Sequence, residues 1–316
     1  MMTPPEQAKV TVIIPTHNRA HLLRRSVMSV LGQTHRDIEL IVIDDASTDA
    51  TPEVLGKIDD SRLTVLRNTQ NHGAAAARNK GIAIASGQYL CFQDDDDYWL
   101  AEKIQRQLQA LEKSPGTRWC LAAYVRLTAK GAVYVGGSFY EKQVDYTRGI
   151  GHGGPEWSLI TTPNWLVETA LIREVGGFDE RIHSWDDWEL SLRIRNHTDF
   201  VHVNAPLWIQ DRVDGGGLTK AERARADDMR LILVKHGAMW TGRPDVMARH
   251  YYVIGRAESL YDDRPGAGRD MIKKSLRVRP IQIKAWVALL LSYIGQSFTK
   301  STTMFLRRWR ERVNTR

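Results

Sequence analysis

Four consecutive aspartates, Asp94 to Asp97, stand one residue after the apolar run Tyr89-Leu90-Cys91-Phe92 and directly before Tyr98 and Trp99. Adjacent carboxylates repel one another and resist burial, so a chain that sets them between a strand and an aromatic pair must either solvate them or give them a cation. Acidic runs are more often solvated loops. The flank Tyr98-Trp99-Leu100 is not that of a solvated tail, and it places the run at the edge of a core. Carboxylates spaced Asp-x-Asp offer oxygens to one hard divalent ion while leaving positions open for a ligand's phosphates. That chemistry fits a nucleoside diphosphate held through a magnesium-type ion. A calcium loop counted from Asp94 needs glycine at its sixth position and glutamate at its twelfth, where the chain has Trp99 and Gln105.

The residues before the run alternate between buried-strand and helix patterns. Val10 to Pro15 is a short β-branched strand, and Ala20 to Gln33 carries Leu22, Leu23, Val27, Val30 and Leu31 at helical spacing. Glu39 to Ile43 is a second strand that ends in Asp44-Asp45-Ala46-Ser47-Thr48-Asp49. Thr51 to Ile58, Leu63 to Leu66, Ala74 to Ala85 with Gly87 as its C-cap, Tyr89 to Phe92 and Ala101 to Lys113 continue the alternation. This is a doubly wound α/β pattern, mainly parallel, whose ligands bind at the carboxyl ends of the strands. Neither a G-x-G-x-x-G nor a Walker loop occurs, so dinucleotide and P-loop binding have no support.

Beyond Lys113 the pattern changes. Trp119 to Thr128 and Ala132 to Gly136 predict a hairpin, and a glycine- and aromatic-rich loop runs from Gly136 to Trp157. A short helix over Thr169 to Val175 ends at Gly176-Gly177-Phe178-Asp179-Glu180, and another helix opens at Ser184-Trp185-Asp186-Asp187-Trp188. Asp187 has two readings. Ser184-x-x-Asp187 fits a capping box, and a carboxylate at a helix N-terminus also suits a general base. The two roles could be split between Asp186 and Asp187. Strand pieces over Phe200 to Asn204 and Pro206 to Ile209 precede a glycine-rich lid from Asp211 to Thr219, in which Arg212 has the forked donors that suit a diphosphate.

From Lys220 the chain is helical. Pro244 to Ser259 and Ala267 to Val278 form a helical pair, and Ile281 to Phe305 mixes apolar and polar residues. Trp286 to Ile294 is its most apolar piece and is too short to span a bilayer. Much of the formal charge of +7 is local: Lys300, Arg307, Arg308, Arg310, Arg312 and Arg316 stand against Glu311 alone. Such a basic, aromatic tail suits an anionic membrane surface, and a terminal helix packed on the body is the competing reading. Nucleic acid is the least favoured partner. Two cysteines, Cys91 and Cys120, make neither a zinc pattern nor a disulfide framework. With a short polar N-terminus the expected setting is the cytoplasm, at most peripheral on the inner face of the membrane.

Six segments taken together resemble the inverting glycosyltransferases of family 2, bacterial type, with the GT-A fold. They are Val-Ile-Ile-Pro-Thr-His-Asn-Arg (12 to 19), Asp-Asp-Ala-Ser-Thr-Asp (44 to 49), Asn71-x-Gly73 with Ala77-Arg78-Asn79-x-Gly81, Asp94-x-Asp96, Gly-Gly-Phe-Asp-Glu (176 to 180) and Asp186-Asp187-Trp188-Glu189-Leu190. The resemblance runs from about Lys9 to Lys235. It implies a GT-A domain over 1 to 235, with a nucleotide-binding half over 1 to 115 and an acceptor half over 116 to 235, and a helical extension over 236 to 316.

The resemblance also implies roles. Pro15, Thr16, Asn18, Arg19, Asp45, Arg78, Asp94 and Asp95 would contact the nucleotide, and Asp94 and Asp96 would hold Mn2+ or Mg2+. Asp187 would be the catalytic base, with Trp185, Asp186 and Arg212 on the acceptor or lid side. The donor would be a nucleotide-diphosphate sugar, a UDP-sugar by family habit, and the acceptor a saccharide or lipid-linked glycan. Asp186-Asp187 stands where Glu-Asp is commoner, which leaves the base position intact. Two other classes remain open at this stage. A metal-dependent nucleotidyltransferase would need a basic glycine-rich loop where the chain has Thr16-His17-Asn18-Arg19. A non-catalytic sugar-nucleotide or membrane-binding module would have no use for Asp187.

Overall fold

The structure is a computed structural model that describes residues 7–136, 160–213, 222–261 and 265–294. These residues fall into two compact units, 7–136 with 160–213 and 222–261 with 265–294. The expected loop from beyond Gly136 to Trp157, most of the lid after Val213 and the tail beyond Ile294 lie outside the described residues.

The first unit is an α/β sheet whose strands run in the order β3-β2-β1-β4-β8-β6-β9-β5, with β7 on the edge of β6. Strand β1 (Val10–Thr16) is buried along its whole length. It pairs in parallel with β2 (Ile38–Asp44) and β4 (Tyr89–Phe92), and β3 (Leu63–Arg67) joins β2 in parallel. A strand covered on both faces reads as a continuous β-branched run, which is why the run Val-Thr-Val-Ile-Ile forms it. Val10, Val12 and Ile14 pack with Leu23, Val27 and Val30 of α1 (Ala20–Leu31) and with Ile104 and Leu108 of α4 (Lys103–Glu112). Across the sheet, Ile41 and Ile43 meet Ala77 of α3 (Ala74–Ile84). Gly81 lets that helix close on the sheet, since a Cβ there would lie 2.7 Å from a methyl of Ile13. The short α2 (Thr51–Gly56) links β2 to β3.

Gly87 does not cap α3. The helix ends at Ala85 with extended backbone, and Gly87 passes so close to β1 that a Cβ would sit 2.5 Å from the amide nitrogen of Thr11.

The other half of the sheet is mixed. Strand β8 (Leu166–Glu168) is antiparallel to β4 and to β6 (Trp119–Thr128), β7 (Gly131–Val135) is antiparallel to β6, and β9 (Val201–Arg212) runs parallel to β6. The two strand pieces expected on either side of Ala205 are one strand with register shifts beside Ala123, where Pro206 lacks an amide hydrogen to donate. The two-residue β5 (Tyr98–Trp99) pairs antiparallel with Ile209 and Trp208 of β9. The aspartates are thereby held at both ends, by β4 before them and β5 after. Trp99 is fixed from below by the buried Lys103 ammonium, 4.1 Å from its ring centre. Two helices complete the unit, α5 (Thr169–Glu174) and α6 (Asp186–Arg195).

The second unit is helical: α7 (Glu222–His236), α8 (Pro244–Tyr261), α9 (Pro265–Val278) and α10 (Ile283–Ile294). Helices α8 and α9 touch backbone to backbone at Gly255 and Gly268, where either Cβ would clash with a carbonyl oxygen of the other helix. Ile272, Leu276, Ala285 and Ala288 form a small core between α9 and α10. Among the described residues no helix is long and apolar enough to cross a membrane.

Candidate active site

The order β3-β2-β1-β4 reverses direction at β1, and open α/β sheets bind ligands at that switch point, beyond the carboxyl ends of the strands. Pro15 and Thr16 end β1 and Asp44 ends β2. Asn18, in the left-handed region at φ 54°, accepts from the amide of Thr48 at 2.7 Å and so ties the two loops together. Asp45 is buried. Its carboxylate accepts from Asn68 Nδ2 at 2.7 Å, the His72 amide at 3.0 Å and the Gly73 amide at 2.7 Å, which orients the loop that opens α3.

The aspartate run closes the other side of the switch point. Thr16 Oγ1 donates to Asp95 Oδ2 at 2.8 Å, joining the ends of β1 and β4. Asp94 accepts from Arg78 Nη2 at 2.8 Å, Asp96 pairs with Arg212 Nη1 at 3.1 Å, and Asp97 accepts from the amide of Asp211 at 3.0 Å. Arg212, expected on a lid, stands at the last residue of β9. Arg19 sits at the start of α1, and its charge acts on both Asp95 and Asp96. Burial, opposed by the Thr16 hydroxyl, pushes the Asp95 carboxyl up to about 7. Asp96 is raised by burial and by Asp94, and Asp97 rises well above the carboxylate range from burial together with Asp94 and Asp96.

These shifts describe a cluster short of positive charge. Asp94, Asp96 and Asp97 can each turn one oxygen to within 4.8 Å of the others, and Asp97 Oδ2 is buried without a hydrogen-bond partner. A hard-oxygen set with an orphaned acceptor fits a divalent cation of the magnesium or manganese type. Asp97 was not among the ligands expected from Asp-x-Asp.

The second acidic cluster opens α6. Trp185 is the N-cap residue and makes no side-chain cap bond, so Asp186 and Asp187 occupy the first two helical positions. A capping box requires serine at the cap and the acid three residues on, and this register does not provide it. Asp187 Oδ1 instead accepts from the amide of Trp188 at 2.7 Å. Burial and the neighbouring Asp186 push the Asp187 carboxyl up to about 8. Asp186 is also raised by burial, against the opposing charge of Arg78.

Arg78 brings the clusters together. Its guanidinium is buried and donates from Nη1 to Asp186 Oδ2 and from Nη2 to Asp94 Oδ1, both at 2.8 Å. The charge of Asp94 also acts on both Asp186 and Asp187. Two supporting residues carried no signal in the sequence. Ser26 Oγ donates to the Asp94 carbonyl at 3.0 Å, and Arg25 reaches the Asp96 carbonyl at 3.2 Å and pairs with Asp211 at 2.9 Å.

Known proteins share this fold. The model of glycosyl transferase family 2 matches residues 11–175. Solved structures similar over most of the chain have the GT-A fold. S. aureus TarS 1-349 in complex with UDP-GlcNAc is 18% identical with a TM-score of 0.68, over 94% of this chain and 91% of that one. The mannosyltransferase PcManGT from Pyrobaculum calidifontis, in complex with GDP-Man and Mn2+, is 17% identical with a TM-score of 0.56, over 94% and 84%.

The chain belongs to glycosyl transferase family 2. Among curated relatives, the UDP-Glc:alpha-D-GlcNAc-diphosphoundecaprenol beta-1,3-glucosyltransferase WfaP of Escherichia coli is 43% identical over 103 residues, which cover 33% of this chain and 41% of WfaP. WfgD of the same organism, with the same described activity, is 40% identical over 105 residues, 33% of this chain and 42% of WfgD. The matches thus span about two fifths of those relatives' length.

Proposed function

We propose that this protein is an inverting glycosyltransferase that moves a sugar from a nucleotide-diphosphate sugar, a UDP-sugar, to a hydroxyl of a saccharide or lipid-linked glycan in cell-envelope polysaccharide synthesis. The observation that carries this reading is the guanidinium shared by Asp94 and Asp186, which sets a cation-binding carboxylate cluster beside a second pair of buried carboxylates. The UDP donor and lipid-diphosphate acceptor of WfaP and the UDP-GlcNAc of the TarS complex support the substrate classes.

In this mechanism Pro15, Thr16, Asn18, Arg19 and Asp45 shape the nucleoside side of the crevice, and Arg78 and Asp95 hold its floor. Asp94 and Asp96, with Asp97 as a third donor, would hold Mn2+ or Mg2+. Such an ion, when bound, supplies Lewis acidity toward the departing diphosphate. Asp187 keeps Oδ1 fixed on the Trp188 amide and takes the acceptor's proton on Oδ2. The acceptor oxygen bonds to the anomeric carbon from the face opposite the diphosphate, the bond from that carbon to the diphosphate breaks, and the configuration inverts. A base on the far side of the ring from the leaving group is what single displacement at an anomeric carbon requires. Trp185, Asp186 and Arg212 border the acceptor side. Residues 1–115 serve the donor, 116–235 the acceptor, and 236–316 form an accessory extension at the cytoplasmic face of the membrane that carries the acceptor.

The test is a screen of sugar nucleotides for metal-dependent transfer to lipid-linked saccharides, repeated with Asp187→Asn. Donor binding retained with transfer abolished supports the assignment, whereas transfer at the unaltered rate in that variant removes it.

A further inference from the structure

Helix α10 is built inside out. Its small residues face the body of the helical unit, with Ala285 and Ala288 buried against Ile272 and Leu276 of α9. Five of its large apolar residues face solvent, while Leu289 packs on that core: Ile283 is 80% exposed, Trp286 55%, Leu290 65% and Tyr293 61%, and Val287 stands among them. Positions 283, 286, 287, 290 and 293 form one stripe at helical spacing. Ile281, two residues before the helix, is 89% exposed. A contiguous apolar face of this kind on a protein surface marks an interaction site.

Charge selects the partner. The stripe borders an open groove of about 240 Å3 lined by Arg256, Lys284, Tyr252, Ile283 and Val287. The guanidinium of Arg269 lies 4.8 Å from the Tyr293 ring centre, and Lys273, Lys274, Arg277 and Arg279 are exposed on the adjoining end of α9 and its connection to α10. From Met271 to the last residue the chain carries eleven basic residues and a single acidic one, Glu311. A second copy of this face would bring like charge against like charge, and so would the chain's own terminal segment over 295–316. Aromatic and aliphatic residues flanked by lysine and arginine on one helix suit an anionic lipid surface, with the apolar stripe in the acyl boundary and the bases at the headgroups.

We propose that the exposed face of α10, with Arg256, Lys284 and Arg269 at its border, is a docking surface for anionic phospholipid bilayers, on which the helix lies in the plane of the interface. The proposal deepens the membrane setting assigned above and does not depend on the transferase reaction, because its test requires neither donor nor acceptor.

Cys91 and Cys120 are fully buried, so in the full-length chain a Leu290→Cys variant takes an environment-sensitive fluorophore at that position alone. The expected result is a blue shift and co-sedimentation with phosphatidylcholine vesicles that contain phosphatidylglycerol, little of either with phosphatidylcholine alone, and weakening as salt is raised. Ile283→Ser with Leu290→Ser lowers partitioning at least about tenfold, because two exposed apolar side chains no longer enter the bilayer. Lys284→Glu, which leaves the stripe intact, weakens binding chiefly at low salt. The proposal is overturned by binding that ignores phosphatidylglycerol, by absence of binding, or by serine variants that bind as the parent does. It is equally overturned by a label already blue-shifted without vesicles and unchanged on adding them. In that case loss of the shift on dilution identifies a second copy, and its persistence identifies residues 295–316 as the cover. Transfer measured with a water-soluble acceptor is unaffected in either case, so failure here is distinct from failure of the proposed reaction.

Discussion

Arg78 Nη1 donates to Asp186 Oδ2 at 2.8 Å across 108 residues of sequence, and its Nη2 donates at the same distance to Asp94. One buried cation thus lies between two carboxylate clusters and opposes the burial that raises Asp186 and Asp187. Removing one partner from a buried ion network leaves uncompensated charge and typically costs about 3–5 kcal/mol. Arg78→Ala is therefore expected to lower unfolding stability on that scale, and Arg78→Lys to recover only part of it, because an ammonium lacks the fork that spans both carboxylates. Denaturant unfolding with and without Mn2+ measures this. An Arg78→Ala variant as stable as the parent would show that the bridge holds nothing together.

Asp187 and Asp186 separate by titration. A base must be ionised to accept a proton, and burial with its neighbour's charge has pushed the Asp187 carboxyl up to about 8. The kcat/KM of the enzyme should rise with pH through a limb near about 8 that belongs to the pair of aspartates. Asp186→Asn removes the charge that helps raise Asp187, so the limb moves to lower pH. Asp187→Asn abolishes the limb and lowers kcat by about 10²–10⁴, the usual contribution of a positioned general base. Pre-steady-state and pH-profile measurements distinguish these outcomes.

The parallel strands were legible because strands covered on both faces read as continuous runs of β-branched and aliphatic residues, as Val10 to Ile14 and Leu40 to Ile43 do. The acidic motifs were equally visible as residue types that a core excludes. Strands β5 and β8 were not, since two or three residues show no periodicity and pair only because β9 and β4 lie beside them. The same holds within the site. Asp94 and Asp187 are conspicuous in the chain, but the tie through Arg78, the support of Asp96 by Arg25 and the orphaned oxygen of Asp97 exist only after folding.

Gly87 offers a prediction on stability alone. Its amide donates to Thr11 Oγ1 at 2.9 Å and its carbonyl accepts from Thr169 Oγ1 at 2.6 Å, so the chain is held against β1 from both sides. A methyl group there would stand 2.5 Å from the Thr11 nitrogen and 2.9 Å from the Lys9 carbonyl oxygen, both backbone atoms that cannot step aside. Gly87→Ala is expected to cost about 1–3 kcal/mol through overpacking. At Gly56, where a Cβ meets nothing within 4 Å, alanine should be neutral or mildly stabilising. Paired thermal melts of the two variants decide this, and equal melting temperatures would contradict the close approach.

The raised carboxylates fix how the metal-free protein responds to pH. A group whose pKa is higher in the folded than in the unfolded chain stabilises the fold fully below its unfolded value and loses that contribution as pH rises through its folded value. For Asp95 and Asp187 the window runs from the ordinary value of 3.8 to about 7 and about 8. The metal-free protein should therefore melt at progressively lower temperature as pH rises through this window. On the proposed metal site, Mn2+ would supply the positive charge that Asp94, Asp96 and Asp97 lack and would compete with protons for the same oxygens. The gain in melting temperature on adding it should thus be largest at the alkaline end and shrink toward acid. Asp97→Asn removes one donor and one repelling charge together. That variant should flatten the pH dependence of the metal-free melt and bind Mn2+ at least about tenfold more weakly, the smallest effect expected when a direct ligand is lost rather than an outer-shell partner. Calorimetric titration of Mn2+ into parent and variant at two pH values reads both effects, and a Mn2+ affinity unchanged by Asp97→Asn would place the ion elsewhere.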